Sequence, residues 1–354
     1  LAEETKAENT AIKVVVCPAG TVQSASTRYR VCQFLAPLRD QGMRIQVTPY
    51  PVQATPVRRL AYFGRLIRLA RWADVIWIQK RRFPRFLPLL AKINSRIVYD
   101  FDDALFVGAS SEWLKGSTKP DFARDARFDA LLKQCRHVIA GNDYLASYAR
   151  RVNPQVTVIP TVVDLARYPL SPAHGTVRSP ITLGWVGNGE NLVYLQDLEQ
   201  VFVRLRERFG DRIRLHVISD RAPQLPADVP LVFQPWRLET EVEDLYAFDI
   251  GLMPLRDDPL ARGKCAFKAV QYMALGIPAV VSPVGANKEL VEHQVNGLLA
   301  TSHAEWLECL TALIQDRELG QRLGLAGRET IAERFSLDAA VPAMALVLRT
   351  AANG

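Results

Sequence analysis

No stretch of this 354-residue sequence reaches the roughly 20 consecutive apolar residues that a membrane-spanning helix needs, although 49% of its residues are apolar. Cysteine is scarce. The five that occur, at 17, 32, 135, 265 and 309, form neither a CxxC pair nor a Cys/His ligand spacing. A disulfide framework and a zinc site are therefore not expected, and the compartment reads as reducing. The opening "LAEETKAENT" lacks the basic-then-apolar order of a signal peptide and reads as a trimmed or unstructured leader. Helix-turn-helix, finger and RNP-like patterns are also missing, which removes nucleic acid from the expected partners. The remainder is an ordinary globular composition, long enough for two domains.

The net charge of +7 is unevenly spread: residues 1–180 carry 27 Lys/Arg against 14 Asp/Glu, and residues 181–354 carry 17 against 23. An excess of positive charge on one half is either a solvated surface or an attraction for anionic partners such as phospholipid headgroups or phosphorylated substrates. "RRLAYFGRLIRLARW" (58–72), read as a helix, gathers Arg58, Arg65, Arg68 and Arg71 on one side and Leu60, Phe63, Ile67 and Ala70 on the other. "QKRRFPRFLPLL" (79–90) interleaves more basic residues with aromatics. Two readings stand side by side: a peripheral contact with an anionic membrane, or an apolar face in the core beneath a solvated basic one.

Short β-branched runs alternate with helical patterns along the whole chain, the pattern of parallel sheets covered by helices. Strands are expected at 12–17, 44–50, 74–79, 96–101, 137–141 and 156–160, then at 181–187, 214–219, 231–236, 249–255, 279–283 and 297–300. Helices are expected near 27–41, 58–72, 121–135 and 142–151, and later at 191–209, 239–247, 303–315, 317–334 and 337–350. The Pro- and Ser-rich stretch at 171–180 interrupts the pattern and reads as a linker. The expected organisation is an α/β chain of two doubly wound, Rossmann-like domains, 1–170 and 181–335, facing across a cleft, with 336–354 as a C-terminal helix packing back on the first domain. In such sheets ligands bind at the carboxyl ends of the strands.

"VQYMALGIPAVVSPVGANKELVEHQVNGLLA" (270–300) resembles the donor-binding segment of the large family-4 retaining glycosyltransferases, and "VTVIPTVVDLARY" (156–168) resembles the segment that closes their first domain. The resemblance spans roughly 140–340 and implies the GT-B fold, a nucleotide-diphosphate sugar donor as co-substrate, and retention of anomeric configuration without a metal or cofactor. Two departures stand out. The family's two donor-site glutamates align with Gly263 and Gln271, and the Arg and Lys that many relatives place after the first glycine loop align with Asn188 and Asn191. A catalytically impaired nucleotide-sugar or glycan-binding protein of the same fold is therefore the alternative.

In "RGKCAFKAVQYMALGIPAVVSP" (262–283) two lysines stand where a helix begins near Ala266. A helix N-terminus carries unsatisfied N–H groups and partial positive charge, so lysines there are mismatched until an anion joins them. Lys264 and Lys268 are thus expected to bind the donor diphosphate, replacing the basic residues missing at 188 and 191, with surface solvation as the bland reading. Further expected donor contacts are Gly187 and Asn188 at the end of the first strand of the second domain, Trp236 and Arg237 beside a base, Phe267, Gln271 on a ribose hydroxyl, and Glu289. Trp236 reads equally as the edge of the core, and Cys265 and Phe267 read first as packing residues.

In the first domain "YDFDDALF" (99–106) brings Asp100, Asp102 and Asp103 to a strand's carboxyl end. One of these carboxylates is expected to orient or deprotonate an acceptor hydroxyl, an N-cap being the structural reading and a metal role being set aside. Arg28 and Arg30, after the first strand, and Lys80 and Arg81 are expected to contact an acidic acceptor or phosphate. The expected acceptor is a glycan or lipid-linked molecule, and the expected location cytoplasmic or peripheral on the inner face of the cell membrane.

Overall fold

The computed structural model describes residues 11–51, 55–107, 122–172 and 179–353. Among these the chain divides into two compact units, one made of the residues up to Val162 together with the final helix, the other of Val163–Ser336.

In the first unit β1 (Ile12–Cys17), β2 (Met43–Val47), β3 (Val75–Gln79), β4 (Ile97–Phe101), β5 (His137–Ala140) and β6 (Val156–Val158) form a parallel sheet in the order β2-β1-β3-β4-β5-β6. The central strands β3 and β4, VIWIQ and IVYDF, are buried at every residue. Parallel sheets are covered on both faces, so these strands need continuous apolar runs and no alternation. Val14, Val16, Phe34 and Trp77 pack against Met344 and Leu348 of the last helix, Leu337–Asn353, which completes this core.

The expected strands all form, with only their ends shifted. The single helix expected at 27–41 is instead Ala25–Arg30, a 3₁₀ turn at Cys32–Phe34 and Leu35–Asp40. Pro37 has no N–H to give to the Gln33 carbonyl, and the 3₁₀ turn falls where that bond is missing. The basic helix is Pro56–Trp72, with Pro56 in its first turn and the Thr55 side chain accepting from the Arg58 N–H at 3.4 Å. Its buried face is Tyr62, Leu66 and Ala70. Leu60, expected on the apolar side, is 74% exposed and Val57 75% exposed.

The second unit repeats the plan with β7 (Ile181–Val186), β8 (Ile213–Ser219), β9 (Leu231–Pro235), β10 (Ile250–Met253), β11 (Ala279–Val281) and β12 (Leu298–Leu299), in the order β12-β11-β10-β7-β8-β9. Its core gathers Trp185, Phe202, Leu215, Trp306 and Leu310. The helix expected at 191–209 is broken into Leu192–Gln196 and Glu199–Phe209, and that at 239–247 shrinks to a 3₁₀ segment, Glu243–Ala247. The division between the units falls at Val162/Val163, ahead of the expected linker. Val163 bridges to Ser336, its N–H reaches Phe335 O at 3.1 Å, and the Tyr168 hydroxyl accepts from Gln271, so this segment is packed into the second unit. Residues 173–178 of the expected linker lie outside the described residues.

Candidate functional site

In the first unit the carboxyl ends of β1, β3 and β4 deliver the loops that carry Arg28, Arg30, Lys80, Arg81, Asp102 and Asp103. Asp100 ends up inside. It is fully buried, and Arg30, 1% exposed, donates to its Oδ1 through Nε at 2.9 Å and Nη2 at 2.6 Å. The same guanidinium reaches Ile159 O at 2.9 Å and Thr161 Oγ1 at 3.3 Å, which ties the first helix to β4 and the segment after β6. Burial pushes the Asp100 carboxyl up, opposed by Arg30. This corrects the sequence expectation for both residues: a sealed charge pair presents nothing to a substrate and serves the fold. Arg28 is also buried, with Nη1 donating to Val22 O at 2.7 Å and Gln23 O at 3.1 Å, so it braces its own loop and leaves the phosphate role unsupported.

Asp102 is placed differently. The Ala19 N–H donates to Gln79 Oε1 at 2.8 Å, Gln79 Nε2 donates to Ser26 Oγ at 2.7 Å, and the Ser26 hydroxyl donates to Asp102 at 2.8 Å. This relay from the loop after β1 through β3 fixes the carboxylate at the carboxyl end of β4, and Lys80 Nζ lies 3.0 Å from its Oδ1 while also binding Asp103. Burial opposes ionisation of Asp102, but Lys80, Arg30 and Ser26 together hold its carboxyl below the usual range. For Lys80 burial pulls downward and Asp102 and Asp103 outweigh it, so its pKa is raised. A carboxylate held ionised is a weak base but a good hydrogen-bond acceptor. Lys80, at φ 55, sits in the left-handed region that costs a non-glycine residue energy, and its charge is spent on the two aspartates rather than on a phosphate. Ser26 and Gln79 were not singled out from the sequence, because only the sheet register brings them beside Asp102. Arg81 turns away from this group and lies over the Tyr50 ring, 4.2 Å from its centroid.

In the second unit three loops meet at the carboxyl ends of β7, β8 and β10. The helix Phe267–Ala274 starts after Ala266, whose φ of 53 is again left-handed. Lys268 in its first turn reaches back to β7: a Cβ added to Gly187 would lie 2.7 Å from Lys268 Cε, and the ammonium sits 5.2 Å from the Trp185 ring centroid. The glycine is what lets the lysine stem approach the strand end. Lys264 Nζ donates to Asn191 Oδ1 at 2.8 Å, and the Asn191 amide donates to Asn188 Oδ1. On the other side of the turn a Cβ on Gly189 would strike the Arg221 side chain at 2.0 Å from Nε, and the Gly189 N–H is accepted by Asp220 Oδ1. Burial opposes ionisation of Asp220, but that N–H, its own N–H and the Ser219 hydroxyl hold its carboxyl below the usual range.

The Gly187–Asn191 turn is therefore flanked by Lys264, Lys268 and Arg221. Arg221 carried no motif in the sequence, and the pairing of β8 with β7 places it here. Gln271 is buried and its amide donates to the Tyr168 hydroxyl at 2.8 Å, so that N–H is engaged inside the unit. Phe267, the first residue of the helix, is half-buried, and Cys265 is buried. Trp236 is half-buried just beyond β9, its backbone N–H donating to Ser219 O at 3.0 Å, and Arg237 beside it is exposed. Glu289, half-buried in the short helix Asn287–Leu290, accepts from Arg334 through its backbone carbonyl at 2.9 Å. Among the described residues no group of three or more His, Cys, Asp or Glu is arranged to hold a metal ion.

Residues 180–316 match the family described as "Glycosyl transferases group 1". A comparison with curated proteins returns no match. Among solved structures the chain is similar to HepE of Anabaena in complex with UDP and glucose, at 15% identity over 96% of this chain and 100% of that one, with a TM-score of 0.67. It is similar to sucrose-phosphate synthase of Thermosynechococcus elongatus at 16% identity, covering 96% and 98%, TM-score 0.72. A UDP-forming α,α-trehalose-phosphate synthase of Burkholderia xenovorans aligns at 13% identity, covering 98% and 100%, TM-score 0.66.

Proposed function

We propose for this GT-B glycosyltransferase, whose second domain carries the glycosyl transferases group 1 match, that it moves a sugar from a nucleotide-diphosphate donor held by the second domain to a glycan or lipid-linked acceptor held by the first. The observation that carries the donor assignment is the flanking of the Gly187–Asn191 turn by Lys264, Lys268 and Arg221 at the start of the helix Phe267–Ala274. When the glycosidic bond of the donor breaks, charge develops on the departing diphosphate. Preorganised cations at the positive end of a helix lower the energy of that state more than that of the bound donor. HepE is described in complex with UDP and glucose, which makes UDP-glucose the first donor to try.

Metal independence fits this arrangement, because lysines and helix dipole take the place of a divalent ion. Asp102, fixed by Ser26 and Lys80, orients an acceptor hydroxyl by accepting its hydrogen bond, and the departing phosphate oxygen takes the proton. That division of labour keeps the incoming and leaving groups on one face and so retains configuration. Asp103, the more exposed neighbour, lies within reach of the same acceptor. No helix among the described residues is long and apolar enough to cross a membrane. Exposed Val57 and Leu60 beside Arg58 on the basic helix support a peripheral contact with the inner face of the cell membrane.

One observation favours the second reading, a nucleotide-sugar or glycan-binding protein without transfer: Gln271 stands where the family has a carboxylate, and its amide is engaged by Tyr168. Incubation of purified protein with UDP-glucose and a panel of other nucleotide sugars, followed by release of the nucleotide, tests the proposal. Turnover in the presence of an acceptor supports transfer; donor binding without any nucleotide release supports the binding protein.

A further inference from the structure

A cavity of about 950 Å³ lies within the first domain, built where the chain leaves β2 and β3. Five arginines line it: Arg59 from the basic helix, Arg81, Arg82 and Arg85 from the loop after β3, and Arg127 from the helix Phe122–Lys133. Among the described residues none of Arg59, Arg81, Arg85 and Arg127 has a carboxylate partner. Arg82 is tied to Leu105 O and lies 5.2 Å from the Phe128 ring. Arg81 has its Nε buried without a hydrogen-bond partner, and desolvation by burial lowers its pKa. Guanidinium groups gathered without counter-charge repel one another and concentrate positive potential in the space they enclose. The planar fork of arginine matches the paired oxygens of a carboxylate or phosphate.

Apart from Pro84, the rest of the wall is aromatic. Tyr50, Phe63, Phe83 and Phe86 form a connected cluster, with Phe63 and Phe86 centroids 4.4 Å apart and Tyr50 and Phe63 6.4 Å apart. Phe83 is buried, while Tyr50, Phe63 and Phe86 are half-buried and keep part of their surface exposed. Ring faces take up the flat C–H face of a sugar, whereas a simple inorganic anion would leave them unused. The volume falls in the usual range for small-molecule sites and is ample for more than one sugar unit. The neighbouring residue in sequence, Lys80, is the one that holds Asp102, so the loop that forms the pocket also sets the candidate acceptor group.

We infer that this pocket binds a saccharide bearing a carboxylate or phosphate group, and that such anionic sugars are the acceptor class of the transfer proposed above, on which this assignment of role rests. The arginines hold the oxyanion and the aromatic cluster holds the ring. The alternative occupants for a basic aromatic surface are a nucleotide and an anionic membrane.

Calorimetric titration of the full chain with glucuronic acid and with glucose 6-phosphate, against neutral glucose, tests the assignment. The two anionic sugars bind at least about tenfold more tightly than glucose, as charge-assisted contacts require, and their affinity falls with salt. Arg81→Ala removes that preference, and so does Arg85→Ala combined with Arg127→Ala. The latter pair is exposed, so the double variant keeps its melting temperature. A preference of one anionic sugar over the other separates carboxylate from phosphate recognition. Equal affinity for charged and neutral sugars overturns the inference. It is equally overturned by arginine variants that lose nucleoside monophosphate binding or phosphatidylglycerol-vesicle binding without any change in sugar binding. UDP-glucose titration of the parent protein separates the pocket from the transferase reading: donor binding there with no anionic-sugar binding refutes the pocket alone, and absence of both refutes the transferase reading as well.

Discussion

The Arg30 guanidinium closes on Asp100 at 2.6 Å with neither side chain reaching solvent, so two residues drawn toward the reaction by their place in the sequence are a structural bolt. Removing one partner of such a pair strands the other charge in the interior. Arg30→Ala is expected to lower stability by about 3 to 5 kcal/mol, read from urea unfolding. Replacing both, as Arg30→Met with Asp100→Leu, costs far less than either alone. Additive losses in the double variant would show that the pair is not coupled.

The Asp102–Lys80 pair has a definite pH signature. Asp102 has a depressed folded pKa, so its contribution to stability is complete above the unfolded carboxyl value near ~3.9 and disappears as pH falls through the lower folded value. Lys80 has a raised folded pKa, so its contribution is complete below the unfolded value near ~10.4 and is lost only as pH rises through the folded one. The stability difference between the parent protein and Asp102→Asn is therefore flat from about pH 5 to pH 9 and shrinks below about pH 4. Asp100, whose pKa is raised by burial and in part by the Asp102 charge, acts with opposite sign on the acid limb. A gap that widens on acidification contradicts the assignment.

The strands, the two Rossmann-like domains and the kinship of the second domain were legible in the sequence, because buried parallel strands need uninterrupted apolar runs such as VIWIQ and IVYDF. Helix ends were less legible: Pro37 divides one expected helix, and Leu60 faces solvent where periodicity alone placed it inward. That Lys264 and Lys268 stand where a helix begins was legible from the sequence. Arg221, Ser26 and Gln79 were not, since only strand register brings them to the loops they serve. Asp100, Asp102 and Asp103 look alike in sequence and differ in burial, which depends on side chains far along the chain.

Metal removal is a second check on the donor chemistry. If lysines and helix dipole meet the diphosphate charge, nucleotide-sugar turnover survives EDTA unchanged. Complete loss, restored by Mn²⁺ or Mg²⁺, contradicts the account and returns Asp102 and Asp103 to consideration as ligands.

Membrane contact through the basic helix predicts binding to anionic vesicles that falls as salt screens the charges. Val57→Ser combined with Leu60→Ser removes two exposed apolar side chains and weakens that binding without lowering the melting temperature. Equal binding to neutral and anionic vesicles contradicts it.

The measurement closest to the centre of the account is calorimetric titration of the parent protein and Lys268→Ala with the preferred nucleotide-diphosphate sugar, alongside melting of the unliganded proteins. Loss of the lysine costs about 1.5 to 3 kcal/mol of donor binding. In the empty protein the relief of a cation at a helix N-terminus, up to about 1 kcal/mol, offsets a lost contact with Trp185 of about 0.5 to 1 kcal/mol. The account therefore predicts a donor affinity lowered about tenfold or more with an almost unchanged melting temperature. Unchanged affinity together with a large drop in melting temperature would make Lys268 a packing residue and contradict the donor site.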